Sequence, residues 1–156
     1  TYNALMLIID IYIDNNDYLK SKGIPKPLNN ALDYATELLN LSNENNDLEI
    51  KCQALAAIGF IYLHKGKVER AEYHFDRAFM IIEDLNDDEI KLELRLEMLS
   101  QYIGANYYDN REKYAYALDQ CRSYLWESRE INCKECEEKS LELIESIKNK
   151  MEKLND

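Results

Sequence analysis

Residues Cys52–Leu85 read CQALAAIGFIYLHKGKVERAEYHFDRAFMIIEDL. Two amphipathic helical patterns flank His64-Lys65-Gly66-Lys67, with the first helix predicted over 48–64 and the second over 68–85. Gly66 suits the end of a helix, where left-handed backbone costs a glycine little. Small residues recur in both patterns: Gly59 in the first, Ala71 and Ala78 in the second. A helical pair of this kind cannot bury both apolar faces alone, so it implies stacked neighbours.

Working outward, residues 2–14 (YNALMLIIDIYID) carry a stripe of Leu5, Ile8, Ile9 and Tyr12, widened by Leu7 and Ile11. That predicts a helix buried on more than one face. Gly23, Pro25 and Pro27 mark 15–28 as a breaker segment. Asn29 or Asn30 then caps a helix over 30–43. In 89–109, Ile90, Leu92, Leu94, Leu96 and Met98 alternate with charged residues, the period of a strand. The same segment places Leu92, Leu96, Leu99 and Ile103 at helical spacing, and its good helix formers decide for a helix, capped by Asp88. A helix over 111–130 follows, with Tyr114, Leu118, Cys121 and Leu125 on one face. The last predicted helix, 134–154, carries a narrow stripe of Leu141, Ile144, Ile147, Met151 and Leu154, as a half-exposed capping helix would.

Composition agrees with an all-α fold. The 156 residues contain four Gly and two Pro, too few turn formers for an all-β chain. The net charge of −11 is spread evenly and leaves no basic stripe for phosphates, which argues against direct nucleic-acid binding. No apolar run approaches the length of a membrane span and no signal peptide is evident, so a cytoplasmic location with reduced thiols is expected. The chain opens on Thr in mid-pattern, which suits a piece of a larger protein.

Self-comparison aligns three segments: Ala31-x3-Ala35-x2-Leu38, Ala71-x3-Phe75-x2-Ala78 and Ala117-x3-Cys121-x2-Tyr124. Each follows a segment carrying a tyrosine: Tyr12, Tyr62, and Tyr102 or Tyr108. Leu55, Ile58, Gly59 and Tyr62, followed by Ala71, Phe75 and Ala78, stand at the offsets of a tetratricopeptide repeat (TPR), and the middle segment resembles that family. The 40 residues from Ala31 to Ala71 resemble its longer variant, found in peptide-sensing bacterial regulators. Departures are Ile9 where Gly59 sits, the insertion at 15–28, and a third unit about six residues too long. The resemblance implies a single domain over 1–156. Its units would be 2–45, 48–85 and 89–130, forming an α-α superhelix closed by the capping helix.

The resemblance also implies a concave face lined by first helices that binds a peptide or protein segment. Carried over position by position, that face would expose Gln53, Ala56, Phe60, Leu63 and His64, with Asn3, Met6, Asp10 and Asp14 from the first unit. Tyr102, Asn106 and Asp109 would come from the third. Asn and Gln can pair with an extended peptide backbone, and Phe60, Met6 and Tyr102 offer apolar contact. No lysine-rich clamp for a terminal carboxylate is evident, so a basic or apolar segment is the expected partner. The alternative is a structural homodimerisation domain, for which the close-set Tyr107, Tyr108, Tyr114, Tyr116, Tyr124 and Trp126 would supply an aromatic patch.

No catalytic constellation stands out, and the expected module is not an enzyme. There is no Gly-rich phosphate loop and no HExxH. Cys133-Lys134-Glu135-Cys136 is a CxxC at a helix start, where a thiolate would be stabilised. A zinc site needs about four ligands and no second CxxC exists, so no metal or cofactor is expected. Cys52 and Cys121 read as small core residues.

Overall fold

The computed structural model describes residues 2–105 and 107–154. Among these the fold is all-α, with eight helices and no strand. In chain order they are α1 (Tyr2–Asp14), α2 (Asn16–Ser21), α3 (Pro27–Glu44), α4 (Leu48–His64), α5 (Val68–Asp84), α6 (Asp88–Gly104), α7 (Arg111–Glu130) and α8 (Lys134–Lys153). The chain forms two compact units, residues 1–84 and 85–156. The boundary falls at the predicted turn between the second and third sequence units.

In the first unit α3 packs against α1 and α4, and α4 packs most extensively against α5. The core joins Leu5 and Ile9 of α1 to Ala31, Ala35 and Leu38 of α3 and Ala54, Ile58 and Ile61 of α4. Helix α4 is buried without a break from Ala54 to Ile61, so it is apolar on all sides. Gly59 permits this: a Cβ there would lie 2.6 Å from Cδ1 of the Phe75 ring. Phe75 in turn meets Phe60, with ring centroids 4.7 Å apart. The two helices therefore cross closely at Gly59, and Phe75 fills space inside the α4–α5 pair.

Helix α1 departs from expectation on one face. Leu5 and Ile9 are buried, but Leu7 and Ile11 are exposed. Helix α3 starts at Pro27, three residues before the predicted 30–43, because proline suits a first helical position, where no N–H is needed. The breaker segment is not wholly irregular either, since α2 lies within it.

In the second unit α7 pairs most extensively with α8, and α6 lies against both. The ambiguous segment is helical. Leu92, Leu96, Leu99 and Ile103 are buried, and so are Leu94 and Met98. Both periodicities in its sequence are real, because the helix is buried on two sides. The cap of α6 is Asp87, whose carboxylate accepts from the Ile90 N–H at 3.0 Å; the predicted cap Asp88 is the first helical residue. On α8 the buried face is Cys136, Ser140, Leu143 and Ile147, while Leu141 and Leu154 of the predicted stripe are exposed.

Four helix ends use one backbone device. In the turn after α4, the Lys67 N–H donates to the Tyr62 carbonyl at 2.9 Å and the Gly66 N–H to the Leu63 carbonyl at 3.0 Å, with Gly66 at φ +75°. This is the Schellman pairing. It recurs around Gly23, Asn46 and Asn132, which also take positive φ. The turns α3–α4, α4–α5 and α7–α8 are each three residues long, with the left-handed residue in the middle.

Candidate functional site

The first unit holds a cavity of about 480 Å³, lined by Asn16, Lys20, Lys26, Leu28, Asn29, His64 and Lys65. Each lining residue arrives by a local rule. Asn16 and Lys20 stand one helical turn apart on α2. Lys26 precedes α3 in left-handed backbone, at φ 47°, and Leu28 and Asn29 follow in that helix's first turn. His64 ends α4, and Lys65 enters the glycine turn. The Lys65 ammonium donates to Oδ1 of Asn29 at 2.5 Å, tying the end of α4 to the start of α3.

Three lysines and no carboxylate line the cavity of a chain whose net charge is −11. The start of α3 adds positive dipole and has no acidic residue in its first turn to cancel it. The carbonyls ending α4 bring the opposite polarity, but the Schellman N–H groups engage two of them. The lysine side chains therefore set the sign. Oδ1 of Asn16 is buried and has no hydrogen-bond partner, which is uncommon for a buried amide. The cavity thus offers ammonium donors, which match the carbonyl of a peptide unit or a carboxylate.

Electrostatic coupling extends the site along α1. Partial burial of the imidazole against the cavity wall pushes His64 below its ordinary value, and the Asp14 charge partly opposes that. His64 is therefore neutral near pH 7, with one donor and one acceptor nitrogen. Partial burial, and after it the charge of Asp14, pushes the Asp10 carboxyl upward. Asp10, Asp14 and His64 thus form a coupled row on α1 and α4, which are in contact.

The sequence-predicted site residues fare differently. His64 is exposed and lines the cavity, and Asp10 is exposed on α1. Gln53 and Leu63 are half-buried on α4. Phe60, at 3% exposure, is buried against Phe75, and Ala56 is buried too; their expected exposure is corrected. They fail as surface groups because α4 is packed on all sides. Tyr102 is likewise buried, with the Tyr107 ring centroid 5.1 Å from its own. Asn106 lies outside the described residues. Tyr108 does not align on a helix; it follows α6 in the loop, buried against Tyr114. Of the aromatic patch, Tyr116 and Trp126 are exposed while Tyr108 and Tyr114 are buried.

Sequence reasoning missed the cavity's lysines. Lys20 and Lys26 fell in the segment read as irregular, and a six-residue helix such as α2 is too short for periodicity to reveal. The pair Asn16 and Lys20 at i, i+4 was the available signal.

Two thiol expectations also resolve. Cys52 and Cys121 are buried and not disulfide-bonded, and burial pushes the Cys121 thiol up to about 12, which leaves it inert. The Cys52 thiol donates to the Ala78 carbonyl at 3.6 Å. Cys133 and Cys136 are disulfide-bonded, so the expectation of reduced thiols fails for this pair. Among the described residues no helix is long and apolar enough to cross a membrane. No family model matches the chain, and neither a curated protein nor a solved structure is similar to it.

Proposed function

We propose that the chain is a non-catalytic, TPR-like module that binds a peptide or protein segment, the sensing or scaffold part of a cytoplasmic regulator. The observation that carries this reading is the lysine-lined cavity beside His64, whose imidazole feels the charge of Asp14 at the end of α1. Gly59 against Phe75, and the fully buried Ala71 and Ala78, support the repeat-type packing. The overall charge still favours a basic or apolar segment along α1, where Asp10 and Asp14 stand. The cavity adds an anchor of opposite kind: a carboxylate or a peptide carbonyl taken by Lys26 and Lys65.

The test is to pan a random peptide library on the intact chain and measure selected peptides by fluorescence anisotropy. Peptides carrying an acidic or C-terminal anchor within a basic or apolar sequence are expected. A Lys26→Ala, Lys65→Ala double variant should weaken them about tenfold, the loss of one desolvated charge contact. Failure to enrich any peptide, or affinity indifferent to both lysines, would refute the reading.

A further inference from the structure

A second cavity, of about 350 Å³, lies in the second unit, lined by α6 and the first turns of α8. Cys136 reaches it, together with Glu93, Glu97, Glu135 and Lys139. At its edge, one carboxylate oxygen of Glu93 and the sulfurs of Cys133 and Cys136 all lie within 4.8 Å of one another. Zinc bonds sulfur at about 2.3 Å and carboxylate oxygen at about 2.1 Å, so ligand atoms around it stand somewhat under 4 Å apart. Small side-chain rotations would bring these three atoms to that spacing.

We infer that Glu93, Cys133 and Cys136 form a reduction-gated site for a borderline-soft divalent cation of the Zn²⁺ class. Two thiolates and one carboxylate match such an ion better than a hard cation, which prefers all-oxygen shells. The fourth position faces the cavity and is filled by water. Thiolates and carboxylate together carry three negative charges against the ion's two; Glu97 and Glu135 on the cavity wall add to the negative field that attracts a cation, and Lys139 offsets part of it.

The disulfide is the closed state, and a soluble dithiol opens it. One dithiol thiolate attacks the Cys136 sulfur, the one the cavity reaches, and Cys133 leaves as a thiolate. That leaving group is already stabilised, because the Cys133 sulfur caps α8 and accepts from the Cys136 N–H at 3.2 Å. The second thiol of the reductant then closes on the mixed disulfide and releases Cys136. Two electrons pass from the dithiol, which becomes a cyclic disulfide. The cation displaces the protons of the protein thiols as it binds.

Co²⁺ is the probe, because thiolate ligation gives sulfur-to-metal charge-transfer bands and intense tetrahedral visible bands. The intact chain, reduced with a phosphine and desalted without oxygen, should bind one equivalent with that spectrum, and one equivalent of Zn²⁺ should displace it. The oxidised chain should bind none. Cys133→Ser should abolish the thiolate bands, while Cys52→Ala, Cys121→Ala should keep them. Glu93→Gln, on an exposed residue and with the fold checked by circular dichroism, should weaken binding about tenfold or more. Equal binding by oxidised and reduced chains, or bands that survive Cys133→Ser, would overturn the inference. So would an unchanged affinity in Glu93→Gln.

Discussion

The α4–α5 and α7–α8 pairs turn through the same three-residue motif and are packed by opposite means. In the first, a glycine faces an aromatic ring: Gly59 leaves room that Phe75 fills, and the Phe60 ring packs against Phe75 at a tilt of 50°. Along α7 and α8 the fully buried side chains are mostly small: Ala117, Cys121, Ser128 and Ser140. The two serines bury without cost to hydrogen bonding, because Ser128 donates to the Leu125 carbonyl at 2.6 Å and Ser140 to the Cys136 carbonyl at 2.7 Å. A shared backbone turn therefore does not dictate a shared seam. One seam is specified by shape, the other by small residues that satisfy themselves locally.

The largest effect that would separate the two seams is a substitution at Gly59. Gly59→Leu should cost about 3 kcal/mol in urea unfolding, since the Phe75 ring is itself buried and has nowhere to move. Ser140→Ala in the other seam should stay within about 0.5 kcal/mol, because the carbonyl it leaves is already in a helix. Equal losses at the two sites would erase the contrast. The shared turn predicts the reverse pattern, a similar cost in both. Gly66→Val and Asn132→Val each place a β-branched residue at positive φ and should each lose about 1–2 kcal/mol. A loss at one position only would show that the turns are not equivalent.

The contrast also explains what was readable in advance. The boundaries of α1, α4 and α7 follow from periodicity; the caps Asp47 and Asn110, whose side chains accept from the Ile50 and Lys113 N–H groups, emerge only in the structure. Gly59 is legible because a glycine in a helix interior needs a reason. The α8 face was misread because hydropathy counts Ser140 as polar, and nothing local reveals that its hydroxyl bonds backward. The site was half legible. His64 stood at the end of a well-marked helix, but its partners Lys26 and Asn29 join it through the packing of α3 on α4, which no spacing in the chain records. Phe60 was misassigned because its exposure depends on how many neighbours α4 has.

A smaller effect concerns acid. The His64 value is depressed in the fold, so the unfolded chain binds that proton more readily. Stability should therefore fall as pH drops below about 6.5, the ordinary histidine value, until the folded form also protonates. His64→Gln should flatten that part of the pH–stability curve.

The most direct test of the central claim is amide NMR of the labelled chain titrated with its best library-selected peptide. Shifts concentrated at residues 10–29 and 63–66 are the predicted result. Shifts concentrated instead on α7 and α8, around the exposed Tyr116 and Trp126, would contradict it and make the aromatic surface the interface.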